Sequence, residues 1–218
     1  MFVTYQWLGW AGKLAKETFT KLLYIADPMC SWCWGFAPTL KAIEEHYPQL
    51  EIQLVLGGLA PDSNEPMQEE TKKYIQQAWQ DVSRMSGAEF NYDFWEKCAP
   101  RRSTWIACRA VIVGRAFQLE REMFEAIQRA YYLEAKNPSD AETLADIAEG
   151  LGIPRENFLQ MLNAKETQNL LEEDFNTRHK SNAHSFPSLA LEKSGQISLL
   201  LSGYCSPKDI HTHLRVQK

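Results

Sequence analysis

The stretch from Lys21 to Gly58 sets a helix pattern between two strand patterns, and that order restricts the fold more than any other feature of the chain. "KLLYI" (Lys21–Ile25) is a short apolar run stopped by Ala26-Asp27-Pro28, so it reads as a buried strand ending in a turn. From Cys30 to His46 apolar residues recur at near-helical spacing, at Cys33, Phe36, Ala37, Leu40 and Ile43. Pro38 falls inside this run and should kink it, because proline supplies no N–H. Tyr47-Pro48 ends it, since the residue before a proline is pushed out of the α region. "EIQLVLGG" then alternates at Ile52, Leu54 and Leu56 before a diglycine stop, which reads as a second strand. Two strands joined through a helix are expected to lie parallel, in a right-handed βαβ unit.

From about Glu65 to Lys180 the pattern is helical. "MQEETKKYIQQAWQDVSRMSG" closes on Gly87, and "STWIACRAVIVGRAFQ" reads as a buried helix. "REMFEAIQRAYYLEAKNPSD" runs to a stop at Asn137-Pro138, and Ser139 stands three residues ahead of Glu142 as a capping box for the next helix. Beyond Lys180, "FPSLALEKSGQISLLLSGY" is two apolar runs joined by Glu192-Lys193-Ser194-Gly195, a β-hairpin by its turn chemistry, followed by a short helix from about Pro207. The expected class is α/β, with order βαβ, helical block, ββα. Residues 21–64 and 181–218 would make one domain, and residues 65–180 a helical domain inserted between the second strand and the final hairpin. Residues 1–20 read as a loosely ordered extension.

Function classes narrow next. The 218 residues carry a formal net charge of −5 with no long basic run, so neither nucleic acid nor an anionic membrane surface is an expected partner. No stretch approaches the roughly 18 consecutive apolar residues of a membrane span. No Lys or Arg precedes Lys13, and Thr4, Gln6, Gly9 and Gly12 interrupt the apolar start, unlike a secretory signal. A cytoplasmic location is expected, where structural disulfides are rare, and five cysteines cannot all pair.

Two of those cysteines, Cys30 and Cys33, form a CxxC where the first strand hands over to the helix. A zinc site needs four ligands, but Cys98, Cys108 and Cys205 form no second CxxC, and the histidines after His46 lie far along the chain. A redox pair fits better. A helix start has unpaired N–H groups and a positive dipole end, which favour a thiolate at Cys30. One turn on, Cys33 lies on the same face and can resolve a mixed disulfide. Asp27, three residues ahead of Cys30, reads first as a turn former and second as a proton acceptor for the buried thiol. Cys98 and Cys108 read as small buried residues of the helical block, and its many aromatics mainly as core.

The segment "DPMCSWCWG" resembles the D-P-x-C-x-W-C of the FrnE-type branch of DsbA-like proteins, within the thioredoxin superfamily. The resemblance extends from about Lys21 to Tyr204 and implies a thioredoxin fold with an inserted helical domain. It also implies a cis-proline before the third strand, facing the cysteines. The matching position is Pro187, preceded by Phe186, in "HSFPSLAL". Ser31 and Trp32 stand between the cysteines in place of the Pro-His of strongly oxidising periplasmic members, and Trp32 would either cap the site or pack on the insertion. The implied activity is thiol–disulfide exchange and isomerisation on protein disulfides, with Cys30 as nucleophile, no metal or organic cofactor, and glutathione as a possible reductant. An alternative is a glutathione-dependent isomerase or transferase, as in the related 2-hydroxychromene-2-carboxylate isomerases and kappa-class transferases, which typically carry serine where Cys30 stands.

Overall fold

The computed structural model describes residues 20–214; the expected extension lies outside the described residues apart from Thr20, which opens the first strand. Strand β1 (Thr20–Ala26) leads through α1 (Ser31–Gly35) and α2 (Ala37–His46) to β2 (Glu51–Leu56). Helices α3 (Glu69–Ser86), α4 (Phe94–Lys97), α5 (Trp105–Ala116), α6 (Glu120–Tyr132), α7 (Ala141–Gly150), α8 (Arg155–Leu162) and α9 (Lys165–Lys180) follow. The described chain closes with β3 (Ser188–Lys193), β4 (Gln196–Ser202) and α10 (Ile210–Leu214). The order is the expected thioredoxin-like α/β arrangement, with the helical block between β2 and the hairpin.

The sheet runs β2-β1-β3-β4. β1 pairs parallel with β2, Leu22 opposite Ile52, and antiparallel with β3, Leu22 opposite Leu191. Both faces of β1 are buried, which leaves no side for polar residues and explains its unbroken apolar run. Leu22, Tyr24 and Ala26 face the main core, while Leu23 and Ile25 meet Val55 and Ala190 on the other side. The hairpin turns at Ser194 and Gly195, both with positive φ (54° and 78°), the pairing of a type I′ turn. The main core runs unbroken from Leu22 and Cys33 to Phe158 and Leu162, so the inserted helices share their interior with the sheet.

Pro38 does more than kink its helix. The helix breaks at Phe36, which caps α1 and opens α2 with Pro38 in its first turn, where a missing N–H costs nothing. α6 stops at Tyr132, five residues short of the proline stop, and the chain turns through Ala135 at φ 52°. The capping box does not form. Asp140 holds the cap position of α7 without a side-chain cap bond, and the Ser139 hydroxyl instead donates to the Ser103 carbonyl at 2.9 Å. A partner distant in sequence outcompetes the local one.

Candidate active site

The turn between β1 and α1 is built on Asp27. Its carboxylate accepts from the Met29 N–H at 2.8 Å, and its carbonyl accepts from the Cys30 N–H at 3.1 Å, which shapes the turn as the sequence suggests. The other carboxylate oxygen does more. It accepts from the Leu59 N–H and from the Thr104 hydroxyl, both at 2.7 Å, and the Cys108 thiol lies 3.5 Å away. Asp27 is fully buried. Burial pushes its pKa above 3.8, and the Leu59, Thr104 and Met29 donors offset part of that rise. Nothing local in the sequence marks Thr104 or Cys108 as its partners, since both come from the start of α5.

Cys30 caps α1 with an extended backbone, so its side chain leaves the helix and enters a cleft. Its thiol donates to the Phe186 carbonyl at 3.6 Å, and the Phe186-Pro187 peptide is cis. The structure therefore brings together the pair and the proline named from the sequence. Cys33 is 1% exposed, against 7% for Cys30, and lies within hydrogen-bond reach of the Cys30 sulfur. Burial pushes the Cys33 thiol well above its ordinary value. The neighbouring Cys30 and the charge on Asp27 act in the same direction, against the Asp27 backbone. All five cysteines are free thiols.

The cleft, about 230 Å³, is lined by Cys30, Ser31 and Trp32 on one side and by Met67, Tyr74 and Arg102 from the helical block. Phe186 closes one wall, held where Gly57 leaves no side chain in its way: an added Cβ would meet three ring atoms, Cδ1 at 2.8 Å and two nearer still. Trp32 lines the cleft and leans on Tyr204, with ring centroids 5.6 Å apart, a partner from the end of the hairpin. Tyr74, Trp79 and Tyr131 all line the cleft, and Trp79 also packs against Phe90, Phe94 and Tyr132. Cys98 and Cys108 have separate surroundings, the Ala135 carbonyl and Asp27. Among the described residues no cluster of three or more His, Cys, Asp or Glu side chains could hold a metal ion, and no helix is long and apolar enough to cross a membrane.

A strand–turn–helix CxxC facing a cis-proline within this topology is the arrangement of thiol oxidoreductases, and the DSBA-like thioredoxin domain model matches residues 23–215; the chain belongs to that family. A Nitrosomonas europaea structure provisionally described as a protein disulfide isomerase is 30% identical, covering 89% of this chain and 95% of that one, with TM-score 0.78. The cytosolic disulfide reductase DsbM of Pseudomonas aeruginosa is 24% identical, with TM-score 0.72 over 90% of this chain and 99% of that one; it has also been solved with GSH. The ClpXP adapter protein SpxH of Bacillus subtilis is 23% identical over 175 residues, which span 78% of this chain and only 57% of that protein.

Proposed function

We propose that the chain catalyses thiol–disulfide exchange on protein disulfides through Cys30 and Cys33, as a reductase or isomerase in the cytoplasm. The observation that carries this reading is the unequal placing of the two sulfurs: Cys30 on the cleft wall, Cys33 behind it and within reach. The Cys30 thiolate would attack one sulfur of a substrate disulfide, forming a mixed disulfide and releasing the other sulfur as a thiolate. Cys33 would then give up its proton and attack the Cys30 sulfur. That step closes the Cys30–Cys33 disulfide and releases the substrate dithiol, two electrons having passed to the substrate. Return of the substrate thiolate before Cys33 acts would give isomerisation. Burial keeps Cys33 protonated until the mixed disulfide forms, which leaves Cys30 as the attacking sulfur.

Two glutathione molecules could restore the dithiol, and Arg102 along the cleft suits a carboxylate of such a peptide. In a compartment poised below roughly −200 mV a pair of moderate potential would rest mostly reduced, which would set the direction of exchange. Ser31 and Trp32 would shape the surface offered to substrate, and Phe186 and Pro187 would support an extended peptide opposite them. The test is equilibration of the full chain with glutathione buffers of set potential, acid quench and peptide mass spectrometry. Loss of two hydrogens from the peptide containing both cysteines is the expected result. A Cys33 that stays free across the whole range, with glutathione bound non-covalently, would instead favour the glutathione-dependent isomerase or transferase.

A further inference from the structure

A second cavity, of about 430 Å³, opens between α2, β2 and α6 and shares no lining residue with the cleft. We propose that it is a binding site for an amphipathic organic cation: an apolar body carrying one hydrogen-bond acceptor, with an ammonium group at the mouth. Its volume falls among those of small-molecule sites, and Leu40, Ile52, Leu54 and Phe124 supply apolar walls. Gln128 also lines it, is 3% exposed, and its Nε2 has no hydrogen-bond partner among the described residues. A buried amide donor without a partner costs free energy that an acceptor on a ligand would recover once the Gln128 side chain turns its Nε2, now closed off, toward the cavity.

The mouth selects the charge. Glu44 and Glu125 both pair with the single guanidinium of Arg121. Glu120 pairs with Arg115, which also serves Asp174. Each arginine therefore answers to two carboxylates, and one negative charge is left over in each group. Glu44, Glu120, Arg121 and Glu125 all line the cavity, and their side chains are between 28% and 59% exposed, which places them at its entrance. The field there draws in a cation and repels a carboxylate.

Its recognition groups take no part in exchange, although Cys33, the resolving sulfur of the proposed exchange, also lines the cavity. The test uses the full-length protein and isothermal titration with N-(4-aminobutyl)benzamide, which carries a ring, one carbonyl and a terminal ammonium. The control, 5-benzamidopentanoic acid, has a similar body and the opposite charge. The amine should bind saturably and the acid should not. Gln128→Leu, an apolar replacement for an unpartnered amide, should weaken the amine about tenfold, the size of one buried hydrogen bond. Ile52→Trp, which fills the cavity from the half-buried edge strand, should abolish binding, and Cys30→Ser should leave it unchanged. Equal binding of amine and acid, amine binding indifferent to both cavity variants, or no saturable heat at millimolar probe would each overturn the proposal.

Discussion

Gly57→Ala tests whether the wall opposite Cys30 is held by packing. Without a side chain at Gly57, the Phe186 ring lies directly over that backbone, and an added Cβ would meet its Cδ1 at 2.8 Å and two further ring atoms closer still. Carbon atoms rest at about 3.5–4.0 Å, so the ring has to retreat by roughly 1 Å or more. Phe186 is half-buried and can swing toward the cleft rather than force the sheet apart. The cost is then the ring's lost burial, a fraction of the roughly 1.5–3 kcal/mol that a full burial contributes, or about 1–2 kcal/mol. Phe186→Ala forfeits the same contacts and should cost a similar amount. In the double variant the added methyl at position 57 meets no ring, so the loss should match that of Phe186→Ala alone, which makes the two changes non-additive by about 1 kcal/mol. Urea unfolding of the four proteins measures this directly. Losses that add to within about 0.3–0.5 kcal/mol would refute the reasoning, because the ring would then not be what an alanine at position 57 displaces.

Three further outcomes follow from the site and its supports. Incubated with a disulfide-linked peptide dimer, Cys33→Ser should accumulate a mixed disulfide between Cys30 and one peptide, releasing the other as its thiol and visible by intact mass, whereas Cys30→Ser should not; equal trapping by both would remove Cys30 as the attacking sulfur. Asp27 binds its proton more tightly folded than unfolded, because burial raises its pKa from 3.8, so its contribution favours the fold at low pH and is lost as pH rises through the raised value. Relative to Asp27→Asn, wild-type stability should therefore fall as pH rises above about 4 in urea titrations, and parallel curves would contradict the buried-carboxylate account. Thr39 is fully buried and its hydroxyl donates to the Cys205 carbonyl at 2.8 Å; Thr39→Val leaves that carbonyl unpaired and should cost about 1–2 kcal/mol, a fall of several degrees in Tm by calorimetry.

What the sequence disclosed was what short-range chemistry decides. The type I′ turn at Ser194-Gly195 and the break before Pro38 each follow from residues within a few positions of one another. The parallel pairing of β1 and β2 follows from the helix between them. The CxxC was legible because its spacing and its place at a helix start are both local. The reading fell short wherever a distant group entered. Ser139 abandons its capping box for a carbonyl in the loop before α5, and Trp32 finds Tyr204 beyond β4. Asp27 reads as a turn former because half of its bonds are to its own turn. The other half, to Leu59 and Thr104, exist only once β2 and α5 have been brought together.

The position of β1 also dictates when this protein becomes itself. Its two partners arrive at opposite ends of synthesis: Ile52 soon after Leu22, but Leu191 only after every inserted helix has left the ribosome. Until then one edge of β1 is an open strand, a shape prone to pairing with other chains. Long-range closure of this kind is slow compared with helix formation. Over that interval Cys30 and Cys33 exist without the wall that Phe186 provides. The nascent chain thus carries both thiols before it carries the cleft that Cys30 lines, and the same late hairpin that completes the sheet also completes that cleft.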